Sequence, residues 1–261
     1  MLWINRLAIL EIVLPQAMEA RFSNDYIESL QDGLHLGLCG SGGPMPSSTR
    51  SGPCVVAIAG NKSFIFDAGT NGARNFGLMG LNYSSIEAVF ITHFHSDHID
   101  GLGELSLFRW IGGQKREPLN VYGPKGIDQV VNGFNVAYEL DSRYRNLHHG
   151  DDVADLNGYG MIPITFDMDE KIASTIVFND DGVKVEAFSV NHAPASPAVG
   201  YKISYKGRST VISGDTSKNK NLERNSKDVD LLIHSGLSPK LLKMMSSAAL
   251  QAGNNAQAKN I

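Results

Sequence analysis

Apolar residues along this chain come in short runs separated by polar and glycine-rich breaks. Residues 34–40 (LHLGLCG), 54–59 (CVVAIA) and 63–67 (SFIFD) are three such runs, bounded by Gly, Pro and Ser. Their length and composition predict strands. EAVFIT (87–92) and LNVYGP (119–124) predict two more, and VKVEAFSV, AVGYKISYK, STVISG and DVDLLIHSG predict the later ones. Helical spacing intervenes. DAGTNGARNFGLMG reads as a loop entering a helix, and residues 98–112 carry Leu102, Leu105, Leu107 and Trp110. KGIDQVVNGFNVAYEL places Ile127, Val130, Val131, Phe134 and Ala137 on one side of a helix, and LSPKLLKMMSSAALQ predicts a closing one. Residues 141–183 keep neither period and are expected to be irregular. Strands adjacent early and late, with helices between, predict an α/β layered fold of sheets covered by helices.

Composition narrows the picture only a little. The 261 residues are 42% hydrophobic and 19% charged, enough for one large core or two small ones. The opening MLWINRLAILEIVLP has Arg6 early and an apolar run broken by Glu11. It is neither a complete secretory signal nor the ~20 apolar residues of a membrane span. A lead segment over 1–33 is therefore expected, as an anchor remnant or an amphipathic helix. Export, anchoring and a cytoplasmic location all stay open. Cys39 and Cys54 are expected to be separate buried small side chains, with a disulfide in an oxidising compartment as the alternative. The net charge of −4 argues against a broad non-specific grip on nucleic acid. Within 141–183, nine Asp and Glu face three Arg and Lys, which would repel a phosphate backbone.

Candidate chemistry concentrates in FITHFHSDHIDGL, residues 90–102. His93 and His95 flank Phe94 where a strand should end, and side chains two apart on extended backbone point the same way. Asp97 and His98 follow where the chain turns into a helix. Imidazole and carboxylate donors suit zinc.

THFHSDHIDG resembles the HxHxDH signature of the metallo-β-lactamase superfamily. The resemblance runs from about residue 34 to the end and includes GSGGPMPSSTRSGP, IFDAGTNGARN, VYGPKG, NHAPASPAVGYKI and VISGDT. These segments look most like the branch of ribonuclease Z and arylsulfatase-like hydrolases. The resemblance implies an αββα four-layer sandwich over 34–261 with metals at one edge of the paired sheets. It implies two zinc ions: His93, His95 and His192 around one, Asp97 and His98 around the other, and Asp215 between them. Asp67 would support the metal loop through hydrogen bonds. The superfamily's β-lactamases commonly place Cys or Ser where Asp215 stands, so Asp215 weighs against antibiotic hydrolysis. A seventh ligand, a late His, is expected beyond Ile261, which makes the chain incomplete at its C-terminus on this reading. His234 stands too early for it, with Ser235 where relatives carry Glu, and is a candidate acid or a supporting residue. His148 and His149 would be poor substitutes.

The activity so implied is hydrolysis by a hydroxide shared between the two zinc ions, with Asp97 orienting it and taking its proton. A small phosphate diester or sulfate ester is the expected substrate. The alternative is a ribonuclease Z-type tRNA 3′-processing endonuclease, disfavoured by the acidity of 141–183. A third reading is an inactive or incomplete metal-binding homologue. Self-association is left open.

Overall fold

Every side chain of β2 (Cys54–Ala59) is buried, which requires cover on both faces of its sheet. Cys54, Val56 and Ile58 enter one core, and Val55, Ala57 and Ala59 enter another. The computed structural model describes residues 26–168 and 173–260, with residues 11 and 13–15. In it β2 lies between β1 (Leu34–Gly40) and β3 (Lys62–Phe66), antiparallel to both. β4 (Ile86–Phe90), β5 (Leu119–Pro124) and β6 (Met161–Phe166) extend this sheet in parallel. The second sheet has the order β11-β10-β9-β8-β7. Its members are β7 (Thr175–Asp180), β8 (Val183–Ser189), β9 (Val199–Tyr205), β10 (Arg208–Ile212) and β11 (Leu231–Ile233).

Helices between these strands are α1 (Gly72–Leu78), α2 (Ser96–Ile99), α3 (Leu102–Ile111), α4 (Ile127–His149) and α5 (Asp151–Ala154). Later come α6 (Lys220–Asn225), α7 (Pro239–Gln251) and α8 (Asn255–Asn260). Phe76, Leu102, Leu105, Ile127 and Val131 from the helices pack on Val56, Ile65, Val89 and Val121 of the first sheet. Between the sheets, Phe64, Phe66, Phe90 and Tyr122 meet Val185, Ala187, Val199 and Tyr201. The Phe90 ring lies 5.1 Å from Phe66 and 5.5 Å from Tyr201, centroid to centroid. Burying one such side chain contributes about 1.5–3 kcal/mol. On the far face of the second sheet, Leu222 of α6 packs with Phe188 and Val211. Helices, sheet, sheet and helix make four layers, the α/β sandwich expected.

Several expectations need correcting. Residues 141–183 are not irregular throughout: α4 continues to His149, and α5, β6 and β7 follow. The last turns of α4 lose their apolar stripe but keep the i,i+4 pairs Glu139–Arg143 and Asp141–Arg145. Asp169, Glu170 and Lys171 lie outside the described residues. The single helix over 98–112 is two, α2 and α3, parted at Asp100 and Gly101. Cys39 and Cys54 are not separate; they form a disulfide with their Cα atoms 5.0 Å apart. A bulge between Leu38 and Gly40 sets Cys39 beside the start of β2. Of the lead segment, residues 1–10, 12 and 16–25 lie outside the described residues. Its far end is attached to the body: Ile27 is buried, and Tyr26 N donates to Gly80 O at 3.0 Å. Among the described residues no helix is long and apolar enough to cross a membrane.

Candidate metal centre

Asp67 follows β3 with φ at 58°, a conformation uncommon for a residue with a side chain. Its own N–H donates to Phe90 O at 2.9 Å. Its buried carboxylate accepts three hydrogen bonds. Oδ1 takes Thr92 N at 2.8 Å, while Oδ2 takes Thr92 Oγ1 at 2.9 Å and His98 Nδ1 at 2.8 Å. The next two residues continue the junction. Ala68 N donates to His98 O, and Gly101 N donates to Ala68 O, both at 2.8 Å. A β-carbon on Gly69 would stand 2.3 Å from Asp97 O and 2.5 Å from the Gly52 carbonyl carbon, so the backbones meet there directly.

β4 stops at Phe90, so His93 and His95 stand on the loop beyond it rather than on a strand end. The backbone still holds to its neighbours. Ile91 N donates to Tyr122 O at 2.9 Å, and Val199 N donates to Thr92 O at 3.0 Å. Asp97 and His98, both buried, sit on α2. The second sheet supplies the facing loops, with His192 after β8 and Asp215 after β10. Ser217 N donates to Asn191 O at 2.9 Å and ties these two loops together.

His93 Nε2 and His192 Nε2 approach His95 Nδ1 at 3.0 and 3.1 Å. A second group joins His93, His98 and Asp215, so that His93 is common to both. His98 Nε2 is 3.6 Å from Asp215 Oδ2 and 3.7 Å from Asp97 Oδ2. Asp97 therefore borders the second group without entering its tightest set. His234 is exposed, its Nδ1 donating to Ser235 O, and joins neither group; nor do His148 and His149 at the end of α4. Four donors about 2.0–2.1 Å from one ion lie roughly 3.3–3.4 Å apart in a tetrahedron. The observed separations bracket that spacing. Among the described residues, Asp97 Oδ2 and His98 Nε2 are also buried without a hydrogen-bond partner. Orphaned buried atoms of this kind are expensive unless a ligand meets them. The donor set thus fits divalent metal. Thr92 and Gly69 were missed in the sequence, although Thr92 directly precedes the histidines.

Electrostatics divide the imidazoles. Burial pushes His93 down to about 3, reinforced by neighbouring His98. Burial likewise lowers His192. On His98 the burial effect is outweighed by Asp67 and Asp215, which raise it to about 10. His98 in turn holds Asp215 below the usual carboxylate range. A metal ion needs a bare nitrogen. His93 already offers one at pH 8, whereas His98 must first lose its proton. Ion uptake at the His98–Asp215 pair should release close to one proton at pH 8 and progressively less as pH rises through about 10. Calorimetric titration with zinc in buffers of different ionisation enthalpy measures this; zero release at pH 8 would contradict it.

Residues 48–249 match the family profile of the Metallo-beta-lactamase superfamily. The chain belongs to that superfamily. Within this metallo-beta-lactamase group, ribonuclease Z of Mycobacterium marinum is 31% identical over 203 residues, covering 77% of this chain and 70% of that protein. Ribonuclease Z of Mycolicibacterium gilvum is 29% identical over 214 residues, covering 81% and 72%. Among solved structures, the human short-form tRNase Z matches with a TM-score of 0.60 at 24% identity, over 82% of each chain. At that identity the likeness shows the metallo-beta-lactamase fold alone.

Proposed function

We propose that this protein is a zinc-dependent phosphodiester hydrolase of ribonuclease Z type. The observation that carries the reading is the pair of abutting donor groups, His93–His95–His192 and His93–His98–Asp215, in a chain whose relatives are named ribonuclease Z. Those names support RNA over the sulfate ester and small-ester substrates expected from the sequence. His93, His95 and His192 would hold one zinc ion. His98 and Asp97 would hold a second, with Asp215 between the two. Such a pair supplies a water acidic enough to ionise near neutrality and positive charge for the phosphate oxygens. The protein's own groups do the rest. Asp97 would orient the attacking water and accept its proton, and the lack of a hydrogen-bond partner on its Oδ2 among the described residues supports that reading. Asp67 fixes His98 while its backbone neighbours hold the α2 loop.

One observation favours a small diester instead. The acidic stretch 141–183 was expected to repel a phosphate backbone. In this chain α5 folds back on α4, with Asn146 Nδ2 donating to Ala154 O at 2.9 Å, and Trp110 Nε1 donates to Asp155 O at 2.7 Å. Asp151 and Asp152 are left exposed on this face. The deciding assay compares a pre-tRNA with a 3′ trailer, bis(p-nitrophenyl) phosphate and an aryl sulfate, each with zinc and with EDTA. Zinc-dependent cleavage at the trailer junction is expected. Turnover of the aryl phosphate alone would leave the small-diester reading, and turnover of the sulfate alone would overturn both.

A further inference from the structure

Thr92 is fully buried, and its hydroxyl stands between two partners with one hydrogen to give. Oγ1 lies 2.9 Å from Asp67 Oδ2 and 3.0 Å from His93 Nδ1. A carboxylate oxygen can only accept, so the Asp67 contact requires the Thr92 hydrogen. Pointing that hydrogen at His93 would leave two oxygens face to face with nothing between them. Hydrogen bonds to a charged acceptor are also about twice as strong as neutral ones. The hydroxyl therefore presents a lone pair to His93, and Nδ1 must bring its own hydrogen to fill the contact. In a neutral imidazole that leaves Nε2 bare. Nε2 is the nitrogen 3.0 Å from His95, at the meeting point of the three-histidine group.

Asp67 Oδ2 also takes the Nδ1 hydrogen of His98 at 2.8 Å, which turns His98 Nε2 towards Asp97 and Asp215. One carboxylate thus reaches an imidazole in each group, His98 directly and His93 through a hydroxyl. We propose that Thr92 is a positioning residue, relaying Asp67 to His93 and setting the tautomer whose bare Nε2 can take a metal ion. The proposal rests on the metal-hydrolase reading for the identity of the ligand, while the tautomer is a property of the metal-free chain.

The test begins with nitrogen-15 NMR of histidine-labelled, metal-free protein, with the His93 signals assigned by their loss in His93→Gln. The parent protein should show hydrogen on His93 Nδ1. Thr92→Val, which removes only the hydroxyl, should let that hydrogen move to Nε2. Thr92→Ser should keep it on Nδ1. Zinc competition against a chromophoric chelator should show affinity about 10–100-fold weaker for Thr92→Val and close to the parent's for Thr92→Ser. Hydrogen on Nε2 in the parent would overturn the proposal. So would a Thr92→Val protein with unchanged tautomer and unchanged zinc affinity. If Thr92→Val fails to fold, the parent spectrum and Thr92→Ser still decide. A parent protein that binds no zinc would sink the metal reading, and its tautomer would still report on Thr92.

Discussion

Asp97→Ala is expected to lower turnover by about 10²–10⁴-fold while leaving the metal-free melting temperature unchanged or slightly raised. The two effects separate because of where Asp97 sits. Its side chain is buried, and Oδ2 has no hydrogen-bond partner. An orphaned buried oxygen destabilises a fold by about 1–3 kcal/mol, and relief of that cost offsets the attraction lost to protonated His98 3.7 Å away. The loop does not depend on the side chain, since the Asp97 backbone is held against Gly69 and Gly52. Phosphodiester turnover and calorimetric melting of the metal-free variant read the two effects separately. A melting temperature that falls in step with the rate would reduce Asp97 to a structural residue.

Asp67→Ala should show the opposite balance. Its carboxylate accepts from Thr92 N, Thr92 Oγ1 and His98 Nδ1, all in the interior. Truncation leaves Thr92 N and His98 Nδ1 without an acceptor, frees the Thr92 hydroxyl to turn towards His93, and takes from His98 one of its two counter-charges. Breaking a buried charged pair in this way costs about 3–5 kcal/mol. At roughly 2–4 °C per kcal/mol for a chain of this size, melting should drop by about 10 °C. Zinc affinity should fall in the same variant, because neither His98 nor Thr92 keeps its orientation. A variant that melts with the parent yet has lost zinc would confine Asp67 to the metal; one that keeps zinc would remove it from the centre.

Strands were legible where burial on both faces writes an unbroken apolar run. CVVAIA coincides with β2 for that reason, and LNVYGP, buried at every position but Asn120, coincides with β5. The end of α4 was not, since beyond Leu140 its outward positions carry Asp141, Arg143 and Arg145, held by pairs along the helix rather than by a core. β6 was hidden by its own pattern, with Met161 alone fully buried and Pro163 within it. Pairing of Cys39 with Cys54 depends on a bulge in β1, which no spacing rule exposes. At the centre, HxHxDH announced the donors through chemistry carried by the side chains themselves. Asp67, expected from the resemblance to support the metal loop through hydrogen bonds, does so from a backbone turn at positive φ, whereas Thr92 acts through the direction of one hydrogen, which leaves no mark in residue order.

The seam where Gly69 meets Asp97 O and Gly52 has a consequence for how variation in this protein is read. The three atoms nearest to a β-carbon on Gly69 all belong to backbone, so the closest obstacles cannot shrink to accommodate a side chain. Gly101 is in the same position, its missing β-carbon 2.5 Å from Gly69 O. A survey of tolerated substitutions would therefore rank these glycines beside the histidines, although a glycine has no side-chain donor to offer a metal ion. Intolerance to change marks the radius within which backbones are in contact here, and it would overstate the size of the reacting centre by a full layer of residues.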